Sequence, residues 1–216
     1  MLRISGLYVS IASVGILRDV ALELPSGVMA GLIGRNGAGK TTLMRSIMGL
    51  LPARGGTIDF DGDVLTRIAP HARTRLGIGY LPEDRRLVPA LSVEENILVP
   101  AWALRSPNTE ARWKKICALI PEIEDLAERK ALHLSGGQQK LVAIGRALMC
   151  GTKLLLLDEP FEGVAPALSK RIAEVVAGLK REGLSILVSE SDLQHSASML
   201  DRVFRIERGE VSVGSA

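Results

Sequence analysis

The sequence predicts an α/β fold built on a mainly parallel sheet, with antiparallel strands at the N-terminus and a helical subdomain set into the core. Three observations predict it. A short apolar strand, Met29-Ala30-Gly31-Leu32-Ile33, runs straight into a glycine-rich stretch and then into a helical pattern. Strand signals return at 153–158, 185–189 and 202–206, with a helical stretch between the first two, a rhythm that builds parallel sheets. Between these halves, residues 85–150 carry mainly helical patterns. The 216 residues suit one domain, with a core at about 1–84 and 151–216 and a helical subdomain at about 85–150.

Residues 1–30 alternate apolar and polar in short runs, Leu22, Leu24 and Val28 among them, broken at Pro25-Ser26-Gly27. That pattern predicts short antiparallel strands joined by turns. From Thr41 the period turns helical: Leu43 with Ile47, and Met44 with Met48, lie four apart on adjoining stripes. Gly49 and Pro52 end that helix in the expected order. Ser92-Val93-Glu94-Glu95 and Asn108-Thr109-Glu110 both predict helix starts. The run from Leu154 to Leu157 has no polar alternation, which predicts a strand covered on both faces.

Composition narrows the function classes. Hydrophobic residues make up 47% of the chain, ample for a core, so disorder is excluded. The net charge is only +3, the arginines are scattered, and aromatics are 3%, too few for a base-stacking surface. No nucleic-acid partner is expected. Cys117 and Cys150 stand in no CxxC or Cys/His spacing and are expected to be small buried hydrophobes in a reducing cytosol. No secretory signal pattern opens the chain, and no uncharged apolar run reaches the roughly 20 residues that cross a bilayer.

Gly34-Arg35-Asn36-Gly37-Ala38-Gly39-Lys40-Thr41 matches GxxxxGK[ST] in full. Glycines there let backbone N–H groups turn inward around phosphate oxygens at a helix start whose dipole favours anions. Lys40 reaches for β- and γ-phosphates, the Thr41 hydroxyl for Mg²⁺, and Thr42 follows in the same first turn. Asp158-Glu159 puts two carboxylates at the C-terminal end of a buried strand, the edge where ligands of parallel sheets gather. Asp158 suits contact with Mg²⁺, and Glu159 suits polarising the water that attacks a γ-phosphate. Leu134-Ser135-Gly136-Gly137-Gln138 has two readings. Ser135 and Gln138 form a capping box at a helix start. Yet two glycines in a first turn weaken a helix by about 1 kcal/mol each relative to alanine. That choice suggests a close approach to the backbone, and so a second anion site at Ser135, Gly136, Gly137 and Gln138.

These three motifs, in this order, resemble the ATP-binding cassette family over essentially the whole chain. The resemblance implies a phosphate-loop ATPase fold, ATP and Mg²⁺ as ligands, and hydrolysis coupled to membrane transport. It implies a head-to-tail dimer with a second ATPase subunit, identical or not, each ATP lying between one phosphate loop and the other subunit's residues 135–138. It further implies transmembrane permease subunits, through them a periplasmic or extracellular solute-binding protein, and a peripheral place on the cytoplasmic face of the plasma (inner) membrane. Glu83, in Gly79-Tyr80-Leu81-Pro82-Glu83, falls in the loop that joins core to helical subdomain, where it senses the membrane partner and joins Thr41 and Asp158 as a metal-site residue. A narrower likeness, in Gly77-Ile78-Gly79-Tyr80-Leu81-Pro82-Glu83-Asp84-Arg85-Arg86, Ala143-Ile144-Gly145-Arg146 and Glu162-Gly163-Val164-Ala165-Pro166, is to ATPase subunits of branched-chain amino acid importers. Relatives serving urea, short amides or other solutes share much of it.

The chain also departs from the family. The aromatic that stacks on adenine falls at Ile11, with Tyr8 the nearest aromatic. The switch histidine is replaced by Ser191, whose side chain is shorter than an imidazole; His195 reads as a solvated helix-face residue. Phe161 stands where a small hydroxyl residue is common, and the chain stops soon after Val213, where many relatives continue.

Overall fold

The computed structural model describes residues 1–214. Two long strands open the chain, β1 (Leu2–Ile11) and β2 (Val14–Leu24), so the expected short strands are in fact 10 and 11 residues. They pair antiparallel, with Leu2 opposite Leu24 and Ile4 opposite Leu22, and their inward residues, Leu7, Val9 and Val20 among them, are fully buried. The turn at Pro25 delivers the chain into β3 (Met29–Ile33), all five residues of which are buried. Helix α1 (Lys40–Ile47) buries Leu43, Met44 and Ile47 and stops at Met48 and Gly49 (φ 76°).

Residues 53–84 hold strands that the sequence reading did not predict. β4 (Ala53–Phe60) lies against β1, and β5 (Asp63–Val64) pairs with β4, giving an antiparallel sheet of order β2-β1-β4-β5. β4 was hidden because Gly55, Gly56 and two charges break its alternation, and only Ile58 and Phe60 are buried. The one-turn helix α2 (Pro70–Arg73) follows, and then β6 (Ile78–Leu81), four residues long and half glycine or tyrosine.

After β6 come α3 (Val93–Leu104), α4 (Thr109–Leu119), the short α5 (Glu122–Asp125) and α6 (Gly136–Cys150). Ser92 caps α3 as read: its hydroxyl accepts the Glu95 N–H, and the Glu95 carboxylate accepts the Ser92 N–H. The chain returns through β7 (Leu154–Asp158), α7 (Pro166–Arg181), β8 (Ser185–Glu190), β9 (Arg202–Glu207) and β10 (Glu210–Gly214). No helix lies between β8 and β9. The segment 191–199 is a string of bends and turns, which corrects the helical setting expected for His195.

The second sheet has the order β10-β9-β3-β8-β7-β6, parallel except for the β9–β10 hairpin. Its central strands are apolar on both faces for a visible reason. Leu155 and Leu157 join Ile186 and Val188 in a cluster with α3, α6 and α7. Leu154 and Leu156 join Leu187 in a second cluster, with α1 and the antiparallel sheet. Each such leucine, removed from water, contributes about 1.5–3 kcal/mol, so the alternating faces of β7 fasten both layers to one strand. The register sets Asp158 beside Ser189 and Ile33 beside Glu190, aligning the C-terminal ends of β3, β7 and β8. Among the described residues no helix is long and apolar enough to cross a membrane.

Candidate active site

At that aligned edge, Gly34 to Gly39 form the loop between β3 and α1. A side chain at Gly34 would place its Cβ 2.2 Å from the Ile206 carbonyl, and Gly39 turns at φ 114°, so both positions require glycine. The loop is stitched to its surroundings: the Gly34 N–H donates to the Glu190 carbonyl (3.1 Å), and the Gly209 N–H donates to the Ala38 carbonyl (3.0 Å). Lys40 opens α1, where the first N–H groups lack partners within the helix.

Lys40 is 5% exposed, and its ammonium uses three acceptors. It donates to the carbonyls of Gly34 and Arg35 and lies 2.9 Å from Glu159 Oε1. All three of its donors are therefore engaged, and an incoming phosphate must compete with Glu159 for one of them. Thr41 donates its hydroxyl to Asp158 Oδ1 at 3.2 Å. Asp158 is fully buried and also accepts Ser189 Oγ (2.7 Å) and the Tyr80 phenol (3.2 Å). Burial and the neighbouring Asp158 push the Tyr80 phenol well above its ordinary value, so it stays a donor.

Glu159 has a left-handed backbone, φ 47°, held at both ends of its peptide. Its N–H donates to the Ser189 carbonyl and lies 3.1 Å from Ser189 Oγ; its carbonyl accepts the Lys140 ammonium at 2.8 Å. Burial raises the Glu159 carboxyl above the usual range, and Lys40 opposes that rise. Lys140 itself is 2% exposed, and burial lowers it. Ser191 Oγ lies 3.0 Å from Asn36 Oδ1 and 3.3 Å from Glu159 Oε1. Short as it is, the serine hydroxyl therefore reaches the carboxylate directly, because the backbone after β8 brings it there.

A cleft of about 380 Å³ opens over this group, lined by Ile16, Asn36, Gly37, Gly39, Lys40, Thr41, Thr42, Glu83, Glu159 and Glu162. Glu83 thus stands on the rim of the cleft that holds Thr41. Ile16 of β2 lines the cleft, whereas Ile11 and Tyr8 stand about half exposed outside that lining. Another hollow, about 410 Å³, lies between α4 and the C-terminal ends of α6 and α7. It has no convergent catalytic groups, so the chemistry belongs to the sheet edge.

Thr41 and Asp158 present hard oxygen donors side by side, a set that fits Mg²⁺, which takes one or two protein ligands and keeps its waters. Among the described residues no group of three or more His, Cys, Asp or Glu side chains is placed to hold a metal ion.

Ser135, Gly136, Gly137 and Gln138 are not brought to this cleft. They form the first turn of α6, where the Ser135 hydroxyl accepts the Gln138 N–H (3.3 Å) and the Gln138 side chain accepts the Ser135 N–H (3.0 Å). The capping box is real, and Ser135 is exposed. Part of the glycine requirement is internal to the chain: a Cβ at Gly137 would meet Leu168 Cδ2 at 2.6 Å, and Arg85 donates to the Gly136 carbonyl. His195 is exposed and stacks at a tilt on Phe161, ring centroids 5.1 Å apart. Cys117 and Cys150 are buried as expected, and burial pushes both thiols up to about 11. The sequence reading missed Tyr80, Ser189, Lys140, Glu190 and Ile16. Ser189 and Glu190 had a signal, two polar residues closing a buried strand after the apolar run Ile186–Val188.

The ABC transporter family model matches residues 17–162, about two thirds of the chain. The chain belongs to the ATP-binding cassette transporter family. It is an ATPase domain of that family, and solved ATP-binding cassettes resemble it over 98% or more of its length. The high-affinity branched-chain amino acid transport ATP-binding protein BraG of Pseudomonas aeruginosa is 36% identical over 90% of this chain and 84% of its own length. The lipopolysaccharide export system ATP-binding protein LptB of Escherichia coli is 34% identical over 91% and 82%. A nucleotide-free cassette from an ABC transporter superposes with a TM-score of 0.85 at 30% identity, covering 100% of this chain and 91% of that one.

Proposed function

We propose that this cassette hydrolyses ATP to drive solute import, with branched-chain or other hydrophobic amino acids as cargo. The observation that carries the chemistry is the buried constellation of Lys40, Thr41, Asp158 and Glu159 under one cleft. In this reading Gly34, Arg35, Asn36, Gly37, Ala38, Gly39 and Thr42 cradle the polyphosphate. Lys40 exchanges Glu159 for the β- and γ-phosphates, which frees the Glu159 carboxylate to orient the attacking water and take its proton at Oε1. Thr41 and Asp158, with Glu83 at the rim, hold Mg²⁺, which neutralises charge on the phosphates. Ser191 steadies the Glu159 carboxylate at the same oxygen, Oε1, that Lys40 holds.

Ser135 and its first-turn N–H groups face solvent away from the cleft of their own chain. A second cassette, the same or a different subunit, set head to tail, brings such a turn to the phosphates, and ATP is then held between two subunits. Transmembrane permease subunits complete the machine on the cytoplasmic face of the membrane, and a periplasmic or extracellular solute-binding protein acts through them. The likeness to BraG supports the cargo class. The likeness to LptB supports a second reading, export of a lipid-linked glycan.

The test is ATP turnover and [¹⁴C]leucine uptake in proteoliposomes holding this chain with its permease subunits. Import requires uptake that depends on ATP and is abolished by Glu159→Gln, a change expected to slow single-turnover cleavage by about 10²- to 10⁴-fold while ATP still binds. ATP turnover without solute uptake, stimulated by lipopolysaccharide, decides for export.

A further inference from the structure

Tyr80 reaches Asp158 along one face of the parallel sheet. In the ladder of β6 and β7 it sits beside Leu156, and Leu156 and Asp158, two positions apart, share a face of β7. That face packs on α1 and the antiparallel sheet, in the cluster to which Leu154, Leu156 and Tyr80 belong. Leu81, the last residue of β6, pairs with Leu157, so a donor from this strand must span a diagonal to meet Asp158. A tyrosine is long enough, and its hydroxyl donates to Asp158 Oδ2 at 3.2 Å. The Arg45 guanidinium of α1 faces the same phenol oxygen. A guanidinium only donates, so the phenol accepts there and its single hydrogen is left for Asp158.

The two oxygens of this buried carboxylate therefore have different partners. Oδ1 accepts the hydroxyls of Thr41 (3.2 Å) and Ser189 (2.7 Å), and among the described residues the phenol is the side-chain donor to Oδ2. Without the phenol, Oδ2 is an unpaired oxygen in a fully buried group, and rotation of the carboxylate carries it toward the Thr41 and Ser189 hydroxyls. Groups that hydrogen-bond a ligating carboxylate set its orientation, and losing one typically costs about 10- to 100-fold in metal affinity.

We propose that Tyr80 is a positioning residue for the cation site: its hydroxyl holds Asp158 Oδ2, so that Oδ1 stays presented beside Thr41. The strand that carries the phenol runs directly into Pro82 and Glu83, so the same hydrogen bond ties the start of the Glu83 loop to the metal ligand.

This inference rests on the reading that Thr41 and Asp158 hold Mg²⁺ with the nucleotide, and the two fail differently. The experiment uses Mn²⁺ in place of Mg²⁺ and follows its binding to the protein–ADP complex by EPR, with protein in excess over ADP, in wild type and in Tyr80→Phe. ADP affinity in EDTA is measured for both proteins. Tyr80→Phe is expected to bind Mn²⁺ about 10-fold more weakly, while its ADP affinity in EDTA stays within about 2-fold of wild type. Equal Mn²⁺ affinities, or an equal loss in both measurements, overturns the proposal and leaves the phenol a packing role. A wild-type complex that binds ADP but no Mn²⁺ overturns the metal reading itself. Should Tyr80→Phe not fold, wild type carries the test, because Tyr8 and Tyr80 are the only tyrosines in the chain. With ζ-¹³C-labelled tyrosine, and Tyr8→Phe to assign the signals, the Tyr80 resonance is expected to shift when Mg²⁺ joins the ADP complex and to stay in place when ADP binds in EDTA. A resonance indifferent to Mg²⁺, or one that moves as far with ADP alone, overturns the proposal.

Discussion

At the scale of single residues the site is a set of competitions for hydrogen bonds. Lys40 has no free donor, Asp158 accepts from three different side chains, and the Glu159 carboxylate is shared between Lys40 and Ser191. A buried ion pair such as Lys40–Glu159 gains little net stability, because desolvation offsets most of the attraction. In the proposed reaction its consequence is kinetic: nucleotide takes Lys40 away and leaves Glu159 as an uncompensated base. Ser191 then becomes the main side-chain donor on that carboxylate. Removing it in Ser191→Ala is expected to cost about 1.5 kcal/mol, roughly tenfold in turnover at saturating Mg-ATP, with ATP affinity little changed. Equal turnover in the two proteins means that Ser191 does not steady Glu159.

At the scale of elements, the helices are ended by specific side chains, and one of these was legible only in three dimensions. The Ser92–Glu95 and Ser135–Gln138 boxes follow from residue types three apart. The C-terminus of α1 is held differently, by Arg73 from α2. Its guanidinium is 5% exposed and donates to the carbonyls of Ser46, Ile47 and Ile68. A cation there also complements the helix dipole. Arg73→Met is expected to lose about 2–3 kcal/mol of stability, read as a lower urea midpoint, since it strands buried carbonyls. An unchanged midpoint refutes that role. Neither residue spacing nor charge pattern marks Arg73, because its partners at the end of α1 lie 26 and 27 positions away.

At the scale of the whole molecule, α6 joins the capped turn at Ser135 to the backbone of Glu159. Its first turn carries Ser135, its second turn sends Lys140 to the Glu159 carbonyl, and Arg146 donates to the carbonyls of Arg85 and Arg86. Arg85 returns the contact to Gly136 and Gln139. A shift of α6 therefore reaches the Glu159 backbone through one buried ammonium. Lys140→Met is expected to lower kcat by about 10²-fold, the cost of a misplaced catalytic group, with a much smaller change in KM for ATP. A fall in thermal stability with kcat preserved assigns Lys140 to packing alone.

The sequence by itself determined the fold class, the phosphate loop, the Asp158–Glu159 pair and the strands β3, β7, β8 and β9, because each is written in contiguous residues. A five-residue apolar run or a GxxxxGK[ST] string acts through neighbours along the chain, and its period or spacing is local. Tertiary structure alone decided that Tyr80 and Ser189 grip the Asp158 carboxylate, that Ser189 and Lys140 hold the Glu159 backbone, that Ile16 and not Ile11 lines the cleft, and that Glu190 lies buried at the same sheet edge. It also decided β4 and β6, which are strands chiefly because β1 and β7 offer them free edges. The physical reason is common to all of these. Burial and hydrogen-bond partners are set by residues 19 to 78 positions apart, and the free energy that places them comes from the packed sheet, to which no short stretch of sequence has access.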